Sequence, residues 1–186
     1  MSTTDKKHGF VPVKSLVGGA IRTREYHVDS ANATGVFIGD LVMIENDGNI
    51  APATADIGLA CIGVATGVKD VNRVAIKAGY LAASTEGYVD VVDDPYVVFR
   101  VQEDGAGTSL IEAQTAIGNT ANHVAGAGST TTGISAHTIN SDDVGTGAQL
   151  KIVGLYEDPN NAFTDTYTEV LVLINEHHYK AAVVGV

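Results

Sequence analysis

The sequence contains one cysteine, no tryptophan and few aromatic residues, which make up 6% of its 186 positions. A single cysteine cannot form an internal disulfide, and it cannot supply the several thiolates of a cysteine-based zinc site. Sparse aromatic residues also give poor support to a platform on which sugars or nucleic-acid bases stack. These shortages exclude a disulfide scaffold and a zinc-finger module as classes for this chain.

Basic residues are also scarce, since 11 Lys and Arg stand against 22 Asp and Glu and give a formal net charge of −11. Proteins that bind nucleic acid need a basic face for the phosphates, so we expect no nucleic-acid partner. No hydrophobic run approaches the roughly 20 residues of a membrane-spanning helix. No continuous apolar stretch follows Lys6 and Lys7, as it would in a signal peptide. We therefore expect neither a membrane partner nor an export signal.

The chain does contain 45% hydrophobic residues and 21 glycines, an apolar content too high for a disordered acidic tail. Its charge is uneven. Five bases and three acids in the first 30 residues give +2, whereas six bases and 19 acids in the other 156 residues give −13. Such asymmetry often marks an interaction arm, although +2 over 30 residues is equally compatible with a chance fluctuation.

Residues 1–25 show neither helical nor strand periodicity, and they include Gly18-Gly19. We interpret them as an extended N-terminal arm, which reaches roughly 80 Å if it is fully uncoiled. A disordered terminus is the common alternative. The segment is rich in large apolar residues for a free tail, namely Phe10, Val11, Val13, Leu16, Val17 and Ile21. This composition favours an arm that orders against a partner.

The body that follows has the signals of a mainly β protein with a small β-barrel or β-sandwich fold. We interpret residues 26–93 as a β-rich subdomain, because apolar runs recur at about ten-residue spacing. Asp47-Gly48 carries the strongest short hairpin signal. The apolar run at residues 59–65 predicts a strand that is buried on both faces.

A second β region begins after Asp94-Pro95, where the proline favours an extended conformation for the residue before it. We interpret residues 94–186 as a β-sandwich-like subdomain. One short helix is expected near 110–117, because a capping-box spacing precedes it and a glycine follows it. Two further apolar runs predict late strands, at 150–156 and 169–175. The second run is apolar enough to be a central strand.

No motif in the chain carries recognisable catalytic chemistry. Residues 128–135 have the glycine spacing of a phosphate loop, but Ile134 stands where the lysine is required. Cys61 lies in an apolar run that is typical of an inert core thiol. The six histidines form no metal-binding pattern, and we interpret His123 and His137 as loop or interface residues. We therefore predict that the protein is not an enzyme and has no catalytic, cofactor-binding or metal-binding residues.

Short patches of the sequence together carry a family likeness. They lie at residues 9–13, 18–20, 24–28, 35–42, 62–68, 94–102, 132–135 and 172–180. Their sequence resembles that of tailed-bacteriophage capsid decoration proteins, also called cement proteins. The patches are distributed over nearly the whole chain. They are short structural motifs, and none of them is a catalytic signature.

The resemblance implies a non-enzymatic, mainly β protein that forms homo-oligomers, with a trimer favoured over a dimer. Such a protein is made in the host cytoplasm and lies on the outer surface of the virion, where it stabilises the lattice of its partner, the major capsid protein. The arm would then lie across neighbouring capsid subunits. Its expected contact residues are Lys6, Lys7, Phe10, Val11, Val13, Lys14, Leu16, Ile21, Arg22 and Arg24. Deletion of residues 1–25 would abolish capsid binding and leave the body folded.

A β-rich adhesion or carbohydrate-binding module is the alternative from a different functional class. Such a module requires an exposed aromatic groove or a calcium cage. The few aromatic residues and the absence of a recognisable export signal make the structural virion protein the better interpretation.

Overall fold

The computed structural model of this chain describes residues 4–55, 58–105, 114–145, 148–163 and 165–180. These residues form thirteen β-strands and a single 3₁₀ turn. The strands are β1 Val11–Ser15, β2 Arg24–Val28, β3 Val36–Phe37, β4 Leu41–Ile44, β5 Ile50–Pro52, β6 Cys61–Lys69, β7 Tyr80–Leu81, β8 Gly87–Val92, β9 Val97–Gln102, β10 Thr120–Val124, β11 Thr138–Val144, β12 Leu150–Leu155 and β13 Glu169–Ile174. The prediction of a mainly β fold is confirmed.

The strands are arranged in three antiparallel sheets. Sheet A has six strands in the order β1-β9-β13-β12-β10-β11, and sheet B has five in the order β2-β8-β6-β4-β5. The short strands β3 and β7 pair with each other and form sheet C. Sheets A and B are open and contribute apolar side chains to one shared cluster, an arrangement compatible with a β-sandwich.

The two predicted subdomains share this hydrophobic core. Sheet B is built from strands between residues 24 and 92, and sheet A from β1 and strands between residues 97 and 174. The shared core contains buried residues from both sheets, among them Leu41 and Val64 from sheet B and Phe99, Ile152 and Val172 from sheet A. The predicted boundary at Asp94-Pro95 therefore lies in the turn between β8 and β9, where the chain passes from sheet B back to sheet A.

Strand β6 lies in the centre of sheet B and confirms the prediction of a strand that is buried on both faces. Its apolar side chains alternate between two clusters, with Cys61 and Val64 in the shared core and Ile62 and Ala65 in a second cluster on the opposite face. Gly63 is required by close packing, because a Cβ atom there would lie 2.1 Å from the Val92 carbonyl oxygen.

The Asp47-Gly48 hairpin is also confirmed. Strands β4 and β5 pair around it, with Ile44 opposite Ile50. Gly48 has a φ of +85°, a conformation that glycine adopts without the steric strain of a side chain. The central strand predicted at 169–175 is likewise present as β13, an interior strand of sheet A.

The N-terminal segment is extended, as expected, but it lies along the body. Strand β1 pairs with β9 at the edge of sheet A. Phe10, just before it, is 1% exposed and belongs to the shared core. The structure therefore corrects the expectation of an arm that orders only against a partner. Deletion of residues 1–25 would remove the core side chain of Phe10, the whole of β1 and the first two residues of β2, so we no longer expect the body to remain intact without them.

The N-terminal segment is held where three parts of the chain meet at Gly9. A Cβ atom on Gly9 would lie 2.4 Å from the Gly39 carbonyl oxygen and 2.5 Å from Ser135 Cβ. Gly9 also has a φ of +67°, so a side chain there would be both crowded and strained. The N–H group of Phe10 donates to the Gly39 carbonyl oxygen at 2.8 Å. We call this meeting point the Gly9 crossing.

The first half of the short helix predicted near 110–117, residues 110–113, lies outside the described residues. The part that is described forms a 3₁₀ turn at Gln114–Ala116. Gly118 follows with a φ of +90°, in agreement with its expected role as a left-handed stop. Within the described part of the chain, no helix is long and apolar enough to span a membrane.

The sequence suggested that His123 and His137 were loop or interface residues, which is wrong for His123 and leaves out the burial of both. His123 in β10 is 0% exposed, and His137, just before β11, is 3% exposed. His123 Nδ1 lies 2.7 Å from Gln149 Oε1, and its Nε2 lies 2.9 Å from the Ala53 carbonyl oxygen. Gln149 Nε2 donates to the Thr54 carbonyl oxygen at 2.8 Å. This buried network connects sheet A to the chain that follows β5.

Replacement of Phe10 by alanine is expected to lower the free energy of unfolding by about 3–5 kcal/mol, because it leaves a cavity in the shared core. Leu16→Ala is the control within the same segment. Leu16 is 56% exposed, so its truncation should change the free energy of unfolding by no more than about 0.5 kcal/mol. Urea unfolding measures both variants. A Phe10→Ala variant as stable as the parent chain would contradict the burial of this ring.

The free energy of unfolding is expected to fall between pH 7 and pH 4. Burial lowers the pKa of His137 to about 3 and that of His177 to about 4, and it also lowers the pKa of His123. These imidazoles gain protons on unfolding, so stability that is present above about pH 6.5 is lost as the pH falls. Asp40 acts in the opposite direction, because burial raises its pKa to about 6 and protonation there favours the folded state.

His177→Asn is expected to reduce this acid-induced decrease in the free energy of unfolding by up to about 3 kcal/mol, since one unit of pKa shift corresponds to about 1.4 kcal/mol. Asparagine can still accept the Tyr179 N–H group, which His177 Nδ1 accepts at 3.1 Å. His27→Asn is a control of opposite sign, since hydrogen bonding to Asn49 and then Glu86 raises the pKa of His27. Urea unfolding at pH 7 and pH 4.5 measures the difference, and an identical difference in His177→Asn and the parent chain would count against the account.

Candidate interaction surface

Most of the residues expected to contact a capsid are accessible. The side chains of Lys6, Lys7, Val13, Lys14, Leu16, Arg22 and Arg24 are exposed. Val11 and Ile21 are half-buried, and Ile21 packs against the shared core. Phe10 is buried and cannot reach a partner in this conformation. Its assignment as a contact residue is corrected: it anchors the segment that carries the others.

Strand β1 lies at one edge of sheet A, but several features discourage another strand from pairing with it. Pro12 lacks an N–H group, the register with β9 shifts between Pro12 and Lys14, and Lys14 carries an exposed charge. Prolines, bulges and lysines are common ways in which proteins protect sheet edges. A partner would therefore contact this segment through its side chains more readily than through its backbone.

Exposed apolar side chains cluster at the end of β1. Val13, Leu16 and Val17 are 41%, 56% and 68% exposed, and Tyr96 is 52% exposed. The Leu16 N–H group donates to the Tyr96 carbonyl oxygen at 2.9 Å, which places these two residues side by side. We call these four residues the apolar cluster. Because the backbone at Leu16 and Tyr96 is hydrogen-bonded, the chain that carries the cluster is ordered before any partner binds.

The sequence-based prediction included Val13 and Leu16 but missed Val17 and Tyr96 as contact residues. Tyr96 belongs to the turn before β9, far along the sequence from β1. Its neighbourhood depends on the pairing of Ser15 with Val97, which the sequence does not reveal. The apolar character of Val17 and its position between Leu16 and Gly18 were the available signal.

The basic residues near the apolar cluster differ in their surroundings. Lys14 and Arg22 are exposed, and no ion pair to either is found within the described residues. Arg24 is engaged by the body, because its Nε lies 3.3 Å from Asp93 Oδ2 and its Nη1 donates to Tyr179 Oη at 2.9 Å. Lys14 and Arg22 are thus freer to meet an acidic partner than Arg24.

The charged residues beyond Arg24 pair within sheet B. Glu25 accepts hydrogen bonds from Arg73 Nε at 2.7 Å and Lys69 Nζ at 3.1 Å, and Lys69 also donates to Asp90 at 2.7 Å. The Arg73 guanidinium lies 4.3 Å from the centre of the Tyr88 ring. Surface pairs of this kind contribute little individually. The charged groups of these pairs nevertheless neutralise one another, so the surface that they form carries less unpaired charge than the N-terminal segment.

Aromatic side chains do not form an open sugar-binding platform in the described residues. Phe37 stacks on Tyr80 with ring centres 5.0 Å apart and is 9% exposed. Gly128 lies so close that a Cβ atom there would be 2.3 Å from the Phe37 ring. Tyr179 is exposed, but its hydroxyl is held by the hydrogen bonds of Arg24. Tyr96 is the exposed ring of the apolar cluster.

The residues that we considered as candidates for catalysis or ligand binding have surroundings typical of structural residues. Cys61 is 0% exposed, and burial raises the pKa of its thiol, so the thiolate nucleophile is disfavoured. In the loop at 128–135, the Gly133 N–H group donates to the Ser129 carbonyl oxygen at 2.7 Å, and Gly133 packs against Gly79. Among the residues that the structure describes, no group of three His, Cys, Asp or Glu side chains is placed to hold a metal ion.

Comparisons of this chain with known protein families, with curated proteins and with solved structures gave no match. The resemblance to capsid decoration proteins therefore stays a prediction from the sequence patches. The surface itself supplies two independent observations. Exposed apolar side chains lie at the end of β1, and the exposed basic residues Lys14 and Arg22 lie on the same segment, in a chain whose formal net charge is −11.

Proposed function

We propose that the protein is a structural virion protein that binds the outside of a phage head and stabilises the lattice of the major capsid protein. The observation that carries this proposal is the apolar cluster on the N-terminal segment, a segment that also carries the exposed Lys14 and Arg22. Exposed apolar patches with a polar rim are typical of protein interaction sites. The sequence patches that resemble decoration proteins include residues 9–13 and 18–20 of this segment and Tyr96, but not Lys14, Leu16, Val17 or Arg22.

The partner surface that fits this cluster is apolar and flanked by acidic side chains. Leu16, Val17 and Tyr96 would fill its apolar part, while Lys14 and Arg22 would face the acids. Ordering a free chain costs roughly 1–2 kcal/mol per residue in backbone entropy. Because β1 and the Gly9 crossing already order this segment, binding through it avoids most of that cost.

Many copies on one shell would act together. If the protein assembles as a homo-oligomer, with a trimer favoured over a dimer, each oligomer presents several apolar clusters to the lattice. Linked sites bind with an avidity well above that of each contact, provided the geometry lets them engage together. We therefore place the protein on the outer surface of the virion in a non-enzymatic role, with the major capsid protein and itself as partners.

The head-binding proposal is tested with heads of the corresponding phage that lack decoration. Leu16→Asp combined with Val17→Asp places two charges in the apolar cluster and is expected to weaken binding at least tenfold, a change of about 1.4 kcal/mol. Co-sedimentation of the purified protein with the heads measures the binding. Val71→Asp combined with Val74→Asp is the matched control, because these valines are also exposed, at 51% and 61%.

Both double variants should remain folded, since all four side chains are exposed, and circular dichroism checks this. Equal loss of binding in the two variants would show that added charge alone interferes. Unchanged binding of the Leu16→Asp, Val17→Asp variant would reject the apolar cluster as the contact. No binding of the parent chain to undecorated heads would reject the proposed function.

The assembly state is tested separately. Native mass spectrometry of the purified protein is expected to show a species of three times the 19.2 kDa chain mass. Persistence of that species after dilution to low micromolar concentration would support a stable trimer. A monomer across the concentration range would contradict the oligomeric part of the proposal and leave the head-binding part to the sedimentation experiment.

A further inference from the structure

The outer face of sheet A, which is the face opposite the shared core, carries apolar side chains on its central strand. Along β13, Val170, Val172 and Ile174 belong to the shared core, so Leu171 and Leu173 between them point outward. Both leucines are half-buried. The solvent side of an antiparallel sheet normally carries polar residues at such positions. This face therefore has an apolar character that a solvated sheet does not need.

The strands on either side of β13 add to this apolar character. In β12, Val153 is 36% exposed. In β9, Val98 lies between Val97 and Phe99, which both belong to the shared core, so Val98 also points outward. Its side chain is nevertheless 0% exposed. We call the following four residues the outer row: Val98, Val153, Leu171 and Leu173.

Strand pairing brings the outer row together. Val172 of β13 is opposite Phe99 of β9 on one side and opposite Ile152 of β12 on the other. Each member of the outer row is a direct neighbour of one of these three residues along its own strand. The outer row therefore crosses the middle of sheet A as one continuous apolar surface.

The chain returns to this surface at Lys180, the last of the described residues. Lys180 Nζ donates to the carbonyl oxygen of Ile174, the residue that follows Leu173 at the end of β13. Burial lowers the pKa of Lys180, and the charge of Lys151, which is opposite Leu173 in β12, lowers it further. The backbone of Lys180 is thus about one lysine side chain away from the end of the outer row.

The next six residues have the composition and length to cover this surface. They lie outside the described residues and are uncharged: Ala181, Ala182, Val183, Val184, Gly185 and Val186. An extended chain covers about 3.3 Å per residue, so six residues span about 20 Å. Strand β13 also has six residues. A segment that starts at Lys180 is therefore long enough to run back along the whole of β13.

A segment of the same chain is favoured over a separate partner for this surface. A short flexible link gives the attached segment an effective concentration in the millimolar range. A second copy or a capsid subunit would have to displace that segment. The absence of charge in residues 181–186 also suits the outer row, whose members are all apolar.

We propose that residues 181–186 bind the outer row of the same chain, running from Leu173 towards Leu171 and antiparallel to β13. In this position they shield the outer face of sheet A from other apolar partners, including a second copy. The proposal is independent of the head-binding proposal, because the outer row and the apolar cluster share no residue.

Disulfide cross-linking tests the proposed contact. An extended chain turns adjacent side chains to opposite sides, so either Val183 or Val184 faces the sheet. Leu171→Cys is therefore combined with Val183→Cys in one variant and with Val184→Cys in another, and both are treated with a mild oxidant. We expect at least one variant to form an intrachain disulfide, detected by mass spectrometry as a chain of unchanged length whose two new thiols no longer react with iodoacetamide.

The control variants replace Leu171→Cys by Val71→Cys, which is 51% exposed in the loop between β6 and β7. They should form at least tenfold less intrachain product. Cys61 is 0% exposed, so the parent chain should form none. Absence of product in both Leu171→Cys variants, or equal product with Val71→Cys, would overturn the proposal. A disulfide-linked species of twice the chain mass as the main product would assign the outer row to a second copy and would also overturn it.

Truncation after Lys180 gives a test that needs no added cysteine. In the ¹⁵N-labelled protein, loss of residues 181–186 should shift the backbone amide signals of Val98, Leu171 and Leu173. The signals of Ile62 and Val89, which belong to the second cluster in sheet B, should stay in place and report that the body is folded. Unchanged signals of the outer row would overturn the proposal and leave the head-binding experiment unaffected.

Discussion

The Gly9 crossing is the contact on which the rest of the N-terminal architecture depends. There the Phe10 N–H group bonds to the Gly39 carbonyl oxygen, and the Phe10 ring enters the core shared by sheets A and B. This fixes the direction in which the chain continues into β1, and β1 in turn sets its register with β9. The apolar cluster lies at the exposed end of β1, the strand that follows Phe10. Core packing and surface presentation are thus properties of one short segment.

The parts of the fold that could be predicted from the sequence are those with a strong local signal. Strand β6 begins with a continuous apolar run, the Asp47-Gly48 dipeptide is a strong hairpin signal, and β13 also carries a continuous apolar run. The burial of Phe10 could not be predicted in this way. The segment around it has no periodicity, and the core into which its ring packs is formed by strands that are distant in the sequence. His123 and His137 were misjudged for a related reason. Their sequence neighbours are small and polar, and their burial comes from packing across two sheets.

The candidate surface could be predicted only in part, because the composition of a segment does not say which of its side chains the fold leaves exposed. The sequence identifies which residues of the N-terminal segment are apolar or basic, and the fold divides them into an anchor and a contact surface. Tyr96 joins that surface through strand pairing.

We propose that a pre-ordered N-terminal segment, anchored by Phe10, presents the apolar cluster to a phage capsid. Electron cryomicroscopy of heads decorated with this protein tests this proposal most directly. We expect Leu16, Val17 and Tyr96 to pack against a major capsid protein subunit, while Phe10 stays in the core of the decorating protein. A map in which Phe10 has left that core, or in which the apolar cluster faces solvent on the bound protein, would contradict it.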